Sequence, residues 1–178
     1  MAITVKATLQ TNKGFKELAE FKKNFNKLAQ EWVEVGFDAS QVHHQNERGK
    51  KEIVNMAELA YWLHEGTDDG RIPPRPFFER TLQQMVGKDE ASKLKPKVAR
   101  LFKGFKKGVD LDKHISVFLD DLGKVVRSNV KDNFGIENTI DLKENAKYTI
   151  KEKGRNDPLV GNTTGVHLKD AMLIKTSK

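Results

Sequence analysis

Residues 62–82 read WLHEGTDDGRIPPRPFFERTL. Pro73, Pro74 and Pro76 fall within four positions, with Arg75 the only other residue among them. Proline fixes its own φ and lacks a backbone donor, and the residue before it is pushed toward an extended conformation. Residues 72–75 are therefore expected to form a stiff, extended strut that delivers Phe77 and Phe78 at a set angle to a core or a neighbour. Arg75, held by that strut, is placed to bind a carboxylate in two-pronged fashion. A proline fits in the first turn of a helix and nowhere deeper, so a helix is expected from about 76 to 86. On the other side, MAELAYWLH at 56–64 reads as a short apolar helix with Ala57, Ala60, Tyr61 and Leu63 inside it, and Gly66 is its stop. Asp68, Asp69 and Gly70 then make a turn. Taken alone, this stretch is a rigid connector between two helices.

Working outward, Ile3, Val5, Ala7 and Leu9 alternate with polar residues, the period of a half-buried strand. Asn12 can cap a helix reaching about Gln30. Its apolar positions (Phe15, Leu18, Phe21, Phe25, Leu28, Ala29, then Trp32) step by three and four along one stripe, with Lys13, Lys16, Lys22, Lys23 and Lys27 on the other faces. Trp32, Val33, Val35 and Phe37 read as a second strand. The polar stretch 38–51, containing HHQNERGKK, reads as an exposed loop.

Beyond the strut, residues 89–134 are helical in pattern. One stripe is Leu94, Val98, Leu101, Phe102 and Phe105, and the next runs from Ile115 to Val130. Gly104 and Gly108 separate them. Residues 140–152 are expected to be one more helix, with Asp141 near its N-terminus. Residues 154–164 read as a loop, 166–172 as starting helical, and 173–176 as a strand. The expected fold class is α+β: one domain over 1–178, with a small mixed or antiparallel sheet packed with several helices. The long central helical segment would cover about 89–153.

The chemistry available is narrow. Cysteine is absent from all 178 residues, which removes thiol catalysis, disulfides and cysteine-rich zinc sites. MAITVKATLQ lacks the basic region and apolar core of a signal peptide, and no window approaches a membrane span. A soluble chain made in the cytoplasm is expected, with no membrane partner. His64 and Glu65 suggest an acid–base pair or a hydrolase, yet neighbours on a helix do not face each other. No serine or second carboxylate stands at a useful spacing, so a structural role is expected. His43 and His44 lack a third ligand at metal spacing. No phosphate-cradling glycine loop is present. No catalytic, cofactor-binding or metal residue is therefore assigned.

The net charge is +7 and the pI about 9.5. Lys93, Lys95, Lys97, Arg100, Lys103, Lys106 and Lys107 follow one another with no acid from Ala91 to Val109. Such a run can be the solvated face of an amphipathic helix, a dock for an acidic protein, or a track for phosphates.

The strings carry a further resemblance. A short apolar helix, an E-G-T step, a brief turn and I-P-x-R-P-F-F before a helix resemble the neck and tail-completion proteins of tailed bacteriophages, also described as minor tail protein Z-like. The matching residues are Ala57, Glu58, Leu59, Ala60, Trp62, Leu63, Glu65, Gly66, Thr67, Ile72, Pro73, Arg75, Pro76, Phe77 and Phe78. That family has a second segment near its C-terminus. It is matched by Pro158, Leu159 and Val160 and, after a break, by Thr164, Gly165 and the run from Val166 to Met172. Gly161, Asn162 and Thr163 replace the family's tight join, and Thr163 stands where it has aspartate.

The resemblance implies a structural virion protein at the head–tail junction, made in the host cytoplasm. Its α+β protomers would assemble with themselves into a ring, expected to be a hexamer. The ring would contact the head-closure or connector protein on one side and the tail tube or tail terminator on the other, with DNA passing through its lumen. No cofactor and no catalysis are implied. Ile72, Pro73, Arg75, Pro76, Phe77, Phe78, Thr164, Gly165 and Leu168 are then expected to make subunit or partner contacts, or to lock the fold. Residues 164–172 are expected to pack near the strut. The basic residues from Lys93 to Lys107 would meet an acidic partner or DNA. The alternative is a basic nucleic-acid-binding protein that uses the 93–107 helix.

Overall fold

The computed structural model describes residues 13–47, 50–87, 90–105, 110–134, 140–154, 156, 159 and 168–177. The expected strand at 3–9 and the cap at Asn12 lie outside them, as do Lys106, Lys107, Thr164 and Gly165. Among the described residues the fold is α+β. In chain order the elements are α1 (Lys13–Leu28), β1 (Val33–Phe37), β2 (Val42–Glu47), β3 (Lys50–Asn55), α2 (Met56–Glu65), α3 (Phe77–Gly87), α4 (Glu90–Lys103), α5 (Leu111–Asp132), α6 (Lys147–Lys153), α7 (Leu168–Ala171) and β4 (Met172–Thr176).

Two antiparallel ladders form. β1 pairs with β4, bringing Val35 opposite Ile174 and Phe37 opposite Met172, so the last described strand returns to pair with the first. Strand residues alternate between faces. Val33, Val35 and Phe37, with Met172 and Ile174 across from them, make one face, while Glu34, Gly36, Leu173 and Lys175 make the other. Helix α5 lies on the apolar face so closely that a Cβ on Gly123 would come within 2.5 Å of Ile174 Cγ2 and 2.9 Å of Val33 Cγ2. The other face ends in a charged tie, Lys175 Nζ to Asp38 Oδ2 at 2.9 Å.

That hydrogen bond from Lys175, helped by the Ser40 N–H, holds the Asp38 carboxyl far below the usual carboxylate range. Because the folded-state value is depressed, the tie acts fully above the unfolded value of about 4 and fades only as pH falls below it. Amide exchange at the β1–β4 end should therefore be faster in Asp38→Asn than in the wild type at pH 7. The difference should shrink as the pH is lowered through the acid range.

The second ladder, β2 with β3, runs from Val42 opposite Asn55 to Glu47 opposite Lys50. It corrects the reading of 38–51 as a loop: the stretch is a hairpin, held by backbone pairing that a polar sequence does not advertise. A second correction falls at 140–152. Only Lys147–Lys153 is helical there, and Asp141 has φ 51°, which a helix cannot contain. Ile140, in a turn, and Leu142, in irregular chain, are buried instead. A third concerns proline depth. Pro96 lies inside α4, beyond the first turn. An interior proline costs about 3 kcal/mol of helix stability, and burial of the α4 residue Leu101, with Phe105 just beyond, offsets it.

Two apolar clusters sit along α5. Toward its N-terminus, Ile115 and Leu119 pack with Leu101 and Phe105, joined by Leu28 and Val33. Toward its C-terminus, Val130 and Phe134 pack with Met56, Ala60, Phe77, Leu168, Ala171 and Met172.

Candidate functional site

The strut and its surroundings form one hydrogen-bonded lock. It begins at α2. Asn55 caps that helix, its side-chain oxygen accepting from Ala57 N at 2.8 Å and Glu58 N at 3.3 Å. Gly66 ends it, with φ 84° and its N–H donating to Trp62 O at 2.9 Å. That positive φ suits glycine. A second constraint acts on the same residue: a Cβ there would lie 2.8 Å from Ile72 O and 2.9 Å from Pro74 N. The strut thus folds back against the one residue that has no side chain. Gly66→Ala should cost about 1–3 kcal/mol, read as a lower urea midpoint with an unchanged slope.

Thr67 closes the turn between them. Its N–H donates to Ile72 O at 2.9 Å, its hydroxyl accepts from Ile72 N at 3.0 Å, and Asp69 accepts from the Thr67 hydroxyl at 2.7 Å. Asp69 also accepts from Arg71 N. Those bonds hold its carboxyl below its ordinary value, the Thr67 bond first. The strut is then pinned from the far side, because Arg75 N donates to both Leu63 O and His64 O at 3.0 Å.

The Arg75 side chain turns inward. It is 4% exposed. Its Nε donates to Lys143 O at 2.8 Å, and one terminal nitrogen donates to Glu144 O and Asn145 Oδ1, each at 3.2 Å. Burial pulls its pKa down, but a guanidinium starts so high that it stays charged. Among the described residues its acceptors are all neutral, so the expected carboxylate partner is replaced by the backbone of 143–144 and the Asn145 amide. Its fork ties the strut to the irregular stretch after Ile140. Phe77 is fully buried, with ring centroids 4.7 Å from Phe78 and 5.3 Å from Phe134. Thr81, also fully buried, donates to Phe77 O and accepts from Asn133 Nδ2 at 2.9 Å.

The residues singled out from sequence therefore divide. Arg75, Phe77 and Leu168 lie inside the chain, where they lock the fold. Ile72, Pro73, Pro76 and Phe78 are half-buried, and Pro74 is exposed. Leu168, Ala171 and Met172 share one core with Phe77. Of the residues that carry this lock, sequence reasoning missed Thr81, Asn133 and the 143–145 acceptors. The spacing of Arg75 from 143–145 along the chain gave no signal for them.

His64 lies much nearer to Glu79 than to its sequence neighbour Glu65. Its Nε2 lies 2.8 Å from Glu79 Oε2 and 3.8 Å from Glu65 Oε1. Its ring packs against Phe77 and Phe78 at 5.1 and 5.9 Å. Nδ1 is buried with no hydrogen-bond partner among the described residues. His64 thus joins α2 to α3 as part of the lock. His43 and His44 lie in β2, and no group of three potential metal ligands occurs among the described residues.

Of the basic run, Lys93, Lys95, Lys97, Arg100 and Lys103 lie in α4. Lys97 is committed inside the chain, 3.1 Å from Asp121 Oδ2 on α5. Lys95, Arg100 and Lys103 are exposed. Beside them a shallow hollow of about 360 Å³ is lined by Leu94, Lys95, Val98, Ala99 and Phe102. Comparison of the chain with family models, curated proteins and solved structures found no match.

Proposed function

We propose that this chain is a structural protein of a tailed-bacteriophage virion, forming a ring at the head–tail junction that joins the capsid connector to the tail and lets DNA pass. The observation that carries the reading is the convergence of the two motif segments behind the resemblance. Phe77 after the strut, Met56 and Ala60 from α2, and Leu168, Ala171 and Met172 near the C-terminus pack in one cluster. The E-G-T and I-P-P-R-P-F-F strings then have a mechanical meaning. They build a stiff protomer whose α2–strut–α3 corner is fixed by Gly66, Arg75 and Phe77. A part that transmits load between head and tail needs such a corner, and needs no substrate.

In a closed ring every charge repeats once per subunit, so the exposed lysines of α4 become a band of positive potential. That band suits an acidic docking surface on the connector or tail, or the DNA in the lumen. Imaging of particles made without the chain tests the reading: full heads and separate tails are expected, and normal virions would end it. The exposed Lys95, Arg100 and Lys103 also support the second reading, a nucleic-acid-binding protein. Tight DNA binding whose affinity falls steeply with salt, from a chain with no place in virions, would favour it.

A further inference from the structure

Two exposed aromatic surfaces of opposite charge lie at opposite ends of α5. The first is built by α1 and α4. Phe21 stacks on Phe25 at 6.5 Å and on Phe102 at 5.9 Å. The stack is not closed over: Phe25 is 49% exposed and Leu18 63% exposed. It continues into the hollow along α4. Lysines edge it, with Lys22 on α1 and Lys95 on α4 both exposed. Over its length α1 carries five lysines against two glutamates, and with Lys27 paired to Asp112 at 2.6 Å its remaining field is still positive.

The second surface is on α2. Tyr61 is 63% exposed, and Glu58 and Glu65 are exposed beside it. Positions three before and four after a helical residue share its face, so the three form one acidic stripe around an aromatic. Helix α2 contains no lysine or arginine, and Asp68 adds negative charge past its end, where Asp69 is paired with Arg71 at 3.1 Å. The first surface is anchored on the cluster around Ile115 and Leu119, the second on the cluster around Val130. At about 1.5 Å per residue these stations are roughly 20 Å apart along α5.

We infer that the basic aromatic surface of α1 and α4 receives the acidic aromatic stripe of α2 from a second copy of this chain, a head-to-tail contact. Exposed aromatics supply the anchors and the surrounding charges set the orientation. Like charges keep each surface from pairing with itself. A contact between two different surfaces leaves one of each free on every pair, so it propagates, and it closes into a ring if the rotation allows. The inference rests on the ring reading above and names the surfaces that build the ring.

The test uses the full chain and two variants at exposed positions, Phe25→Asp and Tyr61→Asp, sized by analytical ultracentrifugation over a range of concentrations. Wild-type chain should assemble, less so as salt rises. Each variant alone should be monomeric. Mixed, they should give a 1:1 dimer and nothing larger, because one intact surface of each kind remains. In a second series, Lys22→Glu with Lys95→Glu should abolish assembly, and adding Glu58→Lys with Glu65→Lys in the same chain should restore it. If the wild type and every variant assemble alike, the contact is elsewhere and the inference fails while the ring reading stands. If the wild type stays monomeric at every concentration, the self-contact is overturned, and the ring reading is judged separately by its place in the virion.

Discussion

Phe77→Ala is expected to remove about 3–5 kcal/mol of folding stability, the usual cost of truncating a buried aromatic to alanine. The ring is fully buried and meets Phe78, His64 and Phe134. These neighbours come from α2, α3 and the end of α5, which cannot collapse together over the void without moving the strut. For a chain of this size the loss should lower Tm by roughly 6–20 °C, measurable by thermal or urea unfolding. A loss below about 1 kcal/mol, typical of an undemanding position, would mean that Phe77 does not hold the corner. Phe78→Ala should cost less, because that ring is only half-buried.

Arg75→Ala is expected to be the second large loss, about 2–4 kcal/mol, because it removes charge-assisted hydrogen bonds and leaves buried acceptors unsatisfied. The acceptors lie on the stretch that follows Ile140 and contains the buried Leu142. Hydrogen exchange should therefore accelerate first at 140–146 rather than uniformly. Arg75→Lys should recover only part of the stability, since an ammonium lacks the fixed fork that reaches Nε and terminal-nitrogen acceptors together. An Arg75→Ala monomer with unchanged stability that fails only in assembly would assign the guanidinium to a neighbouring subunit instead.

What could be read from sequence follows from which force holds each element. Helices α1 through α5 each show apolar residues at helical period, so their existence and approximate limits were legible, although in α1 Leu18, Phe21 and Phe25 remain exposed. The strand pair β1–β4 was half legible. Val33, Val35 and Phe37 showed apolar alternation and 173–176 read as a strand, but nothing in the sequence announced that residues some 140 positions apart would pair. The hairpin β2–β3 was not legible, because VHHQNE and KKEIVN offer almost no apolar period and backbone pairing alone defines them. The error at 140–146 has a different cause. Ile140 and Leu142 looked like helical positions, yet Asp141 between them has φ 51°, and the 143 and 144 carbonyls accept from Arg75. At the site, prolines and Gly66 pointed correctly to a rigid strut. Whether Arg75 faced a partner or the interior depended on an acceptor set nearly 70 residues away, which no local pattern encodes.

The proposed ring is built from copies of this chain, closed between head and tail. Electron microscopy of intact particles carrying an affinity-labelled chain, with rotational averaging about the tail axis, measures that directly. The account predicts label confined to the head–tail junction, in a ring of repeated copies around the DNA channel, with sixfold symmetry expected. Assembled, infectious particles that contain none of the chain would contradict it.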